Sequence, residues 1–135
     1  MKSCSGGSAA PAKILLHIES QPVISRLLRK ILKERQDIAV LRTLFDEQAL
    51  AFIRHVHPEY IVANLDDLGN TPGEVCEALA MLNEMHAGKL LVSGYDASLI
   101  QQRCGEMPNV VVMEFPFTTR ILALLNDGSE PEPAG

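Results

Sequence analysis

The chain has 135 residues, a formal net charge of −5, and 47% hydrophobic and 21% charged residues. These values indicate one globular domain that is large enough to bury a core of its own. The acidic balance disfavours nucleic acid as a direct partner, because phosphate binding depends on clustered lysine and arginine. No apolar run approaches the roughly 20 residues that a membrane-spanning helix needs.

Composition divides the chain into three parts. Residues 1–12 are a leader of small residues that we expect to be disordered, residues 13–127 form the predicted domain, and residues 128–135 are an acidic, proline-rich tail or linker. The leader has no apolar segment of the kind found in secretory signals, so we expect the protein to be cytoplasmic. We expect Cys4, Cys76 and Cys104 to be reduced thiols, since their number is odd and their spacing fits neither a disulfide framework nor a zinc site.

The first strand and helix are the clearest elements near the N-terminus. Lys13–Ile18 is an apolar run without alternation, which suits a central parallel strand buried on both faces. Between Pro22 and Glu34, apolar residues recur every four positions and predict a helix with one wide apolar stripe. Ser20 is a candidate N-cap for this helix.

The middle of the chain predicts two further strands and two helices. Ile38–Leu44 is the second strand, and Asp46 is expected to cap a helix that runs to about Val56. Tyr60–Leu65 is the third strand. Thr71-Pro-Gly-Glu74 has the pattern of a capping box with proline in the first turn, so a helix begins there and is expected to end near Gly88.

Two more strand–helix pairs complete the pattern. Lys89–Ser93 is the fourth strand and leads to a helix that runs to about Cys104, and Asn109–Glu114 is the fifth strand, followed by a helix that ends before Gly128. Five strands alternate with five helices through short connections. Such connections require parallel strands joined by right-handed crossovers.

Polar residues follow the third strand at the place where open α/β sheets bind their ligands. Asn64, Asp66 and Asp67 lie at its carboxyl end. The favoured interpretation of the two aspartates is that they are solvated loop carboxylates. His17, within the first strand, is predicted to be a hydrogen-bonded core imidazole, and His86, near a helix C-terminus, fits the preference of that position for a cation.

The order and spacing of these segments resemble the receiver domain of two-component response regulators over residues 13–126. The motifs that carry the resemblance are Lys13-Ile-Leu, the helix sequence Arg26–Leu32, Pro58-Glu-Tyr-Ile-Val, Leu91-Val-Ser-Gly94 and Phe115-Pro-Phe117. The resemblance implies a three-layer α/β/α, flavodoxin-like (βα)5 fold with a five-stranded parallel sheet in the order 2-1-3-4-5.

The resemblance also implies which positions would carry phosphoryl transfer in the family. The acceptor aspartate position falls on Asn64, and the lysine position before Pro116 falls on Phe115. The acidic pair after the first strand is reduced to Glu19 with Ser20 in the preferred register, or Ile18 with Glu19 in the other.

Two positions of the family pattern remain to be assigned. Ser93 matches the Ser/Thr switch position, and Asp66 lies where the family uses only a backbone carbonyl for metal. Mg²⁺ depends on carboxylate charge at such a site, so we expect binding to be weak or absent and assign no cofactor.

The expected function is therefore that of a non-enzymatic pseudo-receiver, a phosphorylation-independent interaction or dimerisation module that regulates a fused or separate output domain. The partner is expected to be a protein or a second copy of the chain. In the family, the face formed by the fourth helix, fifth strand and fifth helix binds partners, which makes Phe117 and Tyr95 candidate contacts there, although core packing would also account for Phe117.

Two alternatives have different chemistry. If the third strand were two residues longer, Asp66 would be a displaced phosphoacceptor in a working receiver. Alternatively, the pocket vacated by the lost chemistry, with Glu19, Asn64, Ser93 and Phe115 as lining residues, would bind a small ligand.

Overall fold

The computed structural model describes residues 13–94, 96–105, 107–114 and 120–125. Its strands form one parallel sheet in the order β2-β1-β3-β4-β5. The strands are Lys13–Ile18 (β1), Ile38–Thr43 (β2), Tyr60–Asn64 (β3), Leu90–Gly94 (β4) and Val110–Glu114 (β5). The helices are Pro22–Ile31 (α1), Glu47–Val56 (α2), Pro72–Met85 (α3), Ala97–Cys104 (α4) and Arg120–Leu124 (α5). Both the parallel topology and the strand order confirm the fold predicted from the sequence.

Two apolar clusters, one on each face of the sheet, make the domain a three-layer structure. Alternate residues of a strand point to opposite faces, so neighbours such as Leu15 and Leu16 belong to different clusters. Leu15 packs with α1 and α5, whereas Leu16 packs with α2, α3 and α4. Because β3 lies in the middle of the sheet, all five of its residues are buried.

The helix starts confirm the predicted cap of α2 and correct the predicted cap of α1. Asp46 Oδ1 accepts from the backbone N–H of Ala49 at 3.0 Å, as predicted for the start of α2. At α1 the N-cap is Gln21, which makes no side-chain cap hydrogen bond. Ser20 is therefore not the cap that the sequence suggested. It lies one residue before the cap position, and its backbone N–H donates to Asp67 Oδ2.

The capping box at α3 forms in part. Thr71 Oγ1 accepts from the backbone N–H of Glu74 at 3.1 Å, but Glu74 Oε1 accepts from Asn70 N at 2.7 Å and not from Thr71 N. The helix itself ends at Met85, three residues before the predicted glycine.

The expectation that the cysteines are reduced is wrong for two of them. Cys76 of α3 and Cys104 of α4 form a disulfide, with their Cα atoms 5.3 Å apart. The two residues are 28 positions apart, and only the packing of α3 beside α4 brings them together. Cys4 lies outside the described residues.

Among the described residues, the helices are all too short or too polar to cross a lipid bilayer. The predicted leader and tail lie outside the described part of the chain.

Candidate functional site

The carboxyl ends of three neighbouring strands bring the predicted site residues together. Ile18 of β1 pairs with Ala63 of β3, so Glu19 follows β1 beside Asn64. Asn64 in turn pairs with Ser93 of β4. Glu19, Asn64 and Ser93 are 1%, 6% and 3% exposed, so this edge of the sheet holds a buried polar cluster.

An amide–carboxylate contact forms the centre of that cluster. Asn64 Nδ2 donates to Glu19 Oε1 at 3.2 Å and to Oε2 at 3.1 Å. Glu19 Oε2 also accepts from the backbone N–H of Gln21 at 3.1 Å. The only carboxylate that remains of the predicted acidic pair is therefore satisfied by N–H donors of the protein.

The other end of the Asn64 amide fixes its orientation. Its Oδ1 accepts from the backbone N–H of Asp66 at 2.9 Å, which opens a single 3₁₀ turn at Leu65–Asp67. With the amide reversed, a carbonyl oxygen would face the Glu19 carboxylate and the amide nitrogen would face an N–H donor. Both contacts would be repulsive, so the donor side of Asn64 faces Glu19.

The two aspartates after β3 have different surroundings. Asp66 is exposed, in agreement with the solvated interpretation. Asp67 is not simply solvated, because its Oδ2 accepts from the backbone N–H of Ser20 at 2.8 Å. This hydrogen bond connects the loop after β3 to the loop after β1. Ser20 takes part in this connection and does not cap α1 as predicted.

An arginine from the edge strand completes the support of the β1 loop. Arg42 Nη1 donates to the backbone oxygen of Glu19 at 3.0 Å and to that of Ser20 at 3.4 Å. The sequence did not single out Arg42. The signal lies in the strand register, which pairs Arg42 with His17 two residues before Glu19.

Burial changes the protonation of the two titratable groups in this cluster. Burial raises the pKa of the Glu19 carboxyl, as does the nearby Asp67 carboxylate, while hydrogen bonds from Asn64 and Gln21 oppose the rise. Burial, with the positive charges of Arg29 and Arg42, lowers the pKa of His17 to about 4.

His17 is therefore a neutral imidazole at neutral pH. Its Nε2 lies 3.9 Å from Glu19 Oε1, and with a neutral ring this contact is not a salt bridge. On its other side, Nδ1 lies 3.2 Å from Ser25 Oγ. These contacts and its 1% exposure confirm the predicted core role.

The cationic role suggested for His86 is wrong. The side chain is buried, and this burial lowers its pKa below the ordinary value. Its Nε2 lies 3.2 Å from the backbone oxygen of Lys89, so the ring is held as a hydrogen-bonded neutral group after the end of α3.

The arrangement around Glu19 does not fit a magnesium ion. Mg²⁺ prefers six oxygen ligands in octahedral geometry. Here the Glu19 oxygens face N–H groups of Asn64 and Gln21, and an Asp67 oxygen faces Ser20 N–H. Within the described parts of the chain, no group of three or more His, Cys, Asp or Glu side chains is placed to hold a metal.

Four of the residues that the sequence indicated for the site or the partner face lie outside the described part of the chain. They are Tyr95, Phe115, Pro116 and Phe117. The assignment of Phe115 to the lysine position of the receiver pattern stays a prediction from the resemblance.

No protein-family model matches the sequence, and the curated proteins include no significant match. Solved structures do match the fold. A signal receiver domain of a histidine kinase from Syntrophus aciditrophicus has a TM-score of 0.63 at 16% identity, covering 92% of this chain and 98% of that one. A response regulator from Thermotoga maritima has a TM-score of 0.62 at 12% identity, covering 82% and 91%.

A response regulator from Burkholderia pseudomallei, solved with a phosphorylated aspartic acid and a calcium ion, has a TM-score of 0.63 at 22% identity. The match covers 85% of this chain and 67% of that one. At identities of 12–22%, the similarity to these structures shows the fold alone. The chain has the receiver-domain fold of signal-transduction proteins, with an amide at the end of its central strand.

Proposed function

We propose that this chain is an atypical receiver module that works in signal transduction through protein contacts and does not take up phosphate on an aspartate. The observation that carries the proposal is the contact between Asn64 and Glu19. A carboxylate at residue 64 would be a nucleophile for phosphoryl transfer, whereas the amide of Asn64 donates to both Glu19 oxygens.

Electrostatics supports the same conclusion. Phosphoryl transfer needs positive charge to offset the oxygens of the transition state. Two carboxylates placed together would attract a divalent cation, but here one of them is replaced by a neutral donor and the other is buried against it. The phenylalanine at residue 115 offers no cation either.

The proposal is tested by treating the purified protein with acetyl phosphate, or with beryllofluoride, in the presence of Mg²⁺. We expect an unchanged amide NMR spectrum and an unchanged intact mass. Saturable shifts centred on residues 64–67 would contradict the proposal. A mass gain of one phosphoryl group that is lost in Asp66→Asn would establish the displaced-acceptor alternative.

As a non-enzymatic module, the domain would act by binding a second copy of itself or another protein, in the cytoplasm and in concert with an output domain. The proposed face includes α4, β5 and α5. Sedimentation of wild type and of Tyr95→Ala and Phe117→Ala variants tests the dimer.

The small-ligand alternative stays a prediction, and a thermal-shift screen with nucleotides tests it, because a ligand that binds the native state must stabilise it.

A further inference from the structure

The disulfide between α3 and α4 joins two residues that lie at the border of the core. Cys76 and Cys104 are both partly exposed. Cys104 also lines an open cavity of about 500 Å³, together with Gln101 of α4, Met107 of the following loop and Val110 of β5. This cavity is the route by which a thiolate would reach Cys104 in the folded domain.

The helix that carries Cys104 is short, and its buried side chains lie near its start. α4 has eight residues, and those of its side chains that are buried are Ala97 and Ile100. Asp96 at its N-terminus makes no side-chain cap hydrogen bond. Helices shorter than about 12–15 residues are marginal on their own, so the position of α4 depends on tertiary contacts. The disulfide holds its last residue, and both buried side chains lie in its first half.

We propose that Cys76–Cys104 is a reversible redox site, and that a dithiol reductant opens it and releases the C-terminal half of α4 from α3. A thiolate of the reductant attacks Cys104 Sγ, the disulfide breaks, and Cys76 leaves as a thiolate that takes a proton from water. The second thiol of the reductant then attacks the mixed disulfide and releases Cys104. The protein gains two electrons and two protons, and the reductant becomes a disulfide.

Both helices begin after strands that end at the candidate site. α3 follows the loop after Asn64, and α4 follows β4 directly after Ser93 and Gly94. Release of the C-terminal half of α4 changes the surface that this helix forms with α3 and β5; Leu99, in the first half of α4, is already 50% exposed. The domain then has a signal input that needs neither phosphate nor metal. In compartments that keep thiols reduced, disulfides are characteristically transient and redox-sensing.

The test is amide hydrogen exchange on the folded protein, oxidised and then treated with dithiothreitol without denaturant. We expect intact mass to rise by two hydrogen atoms and exchange at residues 100–104 to accelerate at least about ten-fold, while β1 and β3 amides stay protected. The double variant Cys76→Ser/Cys104→Ser should show the fast exchange under both conditions. Cys4→Ser, the matched control, should behave as wild type does.

Two results would overturn the proposal. Resistance of the disulfide to dithiothreitol until the domain is unfolded would make it a permanent structural link. Unchanged exchange in α4 after complete reduction would show that the bond does not position the helix. Both results come from wild-type protein, so they hold even if the double variant fails to fold.

Discussion

Asn64 gives the strand-end site an amide nitrogen where an aspartate would place a second carboxylate oxygen. A carboxylate in its place would face the Glu19 oxygens across about 3 Å, and like charges at that separation require a proton or a cation between them. The amide supplies its own hydrogens, 3.1 and 3.2 Å from the two oxygens. These two hydrogen bonds place donors of the protein itself at both oxygens of Glu19.

Asn64→Asp is expected to recreate the demand for a cation. At neutral pH and without divalent ions, we expect the variant to lose about 1–3 kcal/mol of unfolding free energy, since a buried donor is replaced by a second acceptor. Added Mg²⁺ or Ca²⁺ should restore part of this loss, and a ten-fold excess over Kd would contribute about 1.4 kcal/mol. Urea unfolding with and without the ion measures both effects.

The control for this experiment is Asn64→Ala, which removes the amide without adding a carboxylate. It should be destabilised, and it should not respond to the cation. An equal response to Mg²⁺ in wild type and Asn64→Asp would contradict the account, because the native arrangement would then already accept the ion.

At the scale of elements, hydrogen bonds to terminal carbonyls hold α5 on the sheet. Tyr60 at the start of β3 is 6% exposed, and its hydroxyl donates to the backbone oxygen of Leu125 at 2.8 Å. Lys89 Nζ, just before β4, donates to the backbone oxygen of Leu124 at 2.9 Å. Both acceptors are last-turn carbonyls, which have no partner within a helix.

Tyr60→Phe removes one of these donors and keeps the ring in the core. We expect a loss of about 1–2 kcal/mol in unfolding free energy, because a buried carbonyl loses its partner. Chemical denaturation measures the loss, and hydrogen exchange should place it at α5. Lys89→Met is the companion variant, with a smaller expected effect because its amine is partly solvated. A loss below about 0.3 kcal/mol in Tyr60→Phe would show that water replaces the hydroxyl.

Elements were predictable where a local pattern determines them. The apolar run of β1 and the Asp46 cap each depend on a few consecutive residues, and both are confirmed. The Cys76–Cys104 pair and the Ser20–Asp67 bond depend on which loops and helices meet in space. No local pattern contains that information, and the sequence interpretation of those residues was wrong for this reason.

The same distinction applies to the site. Counting along the sequence placed Glu19, Asn64 and Ser93 at one edge of the sheet, and the strand register brings them there. The direction in which Asn64 points was not predictable, because it depends on the Asp66 backbone N–H and on the burial of Glu19.

At the scale of the whole molecule, the buried cluster links stability to pH through two groups of opposite effect. The pKa of His17 is about 4 in the native state and 6.5 in the unfolded chain. Between these two pH values the imidazole is protonated in the unfolded chain but neutral in the native state. Stability from this source is complete above pH 6.5 and falls as the pH drops towards 4. Glu19 acts oppositely: its raised pKa favours the native state at low pH, and this contribution is lost as pH rises through the folded value.

We expect His17 to account for a loss of roughly 3 kcal/mol between pH 6.5 and pH 4, from 1.36 kcal/mol per pKa unit. His17→Gln should lose stability at neutral pH but lack this part of the acid dependence. The difference in unfolding free energy between wild type and variant therefore measures the contribution of His17, including its contact with Glu19. Urea unfolding in steps across this range measures the difference.

His55→Gln, an exposed histidine of α2, is the matched control and should keep the wild-type profile. A wild-type minus His17→Gln difference that does not change with pH would show that the buried imidazole accepts a proton in the native state as readily as in the unfolded chain.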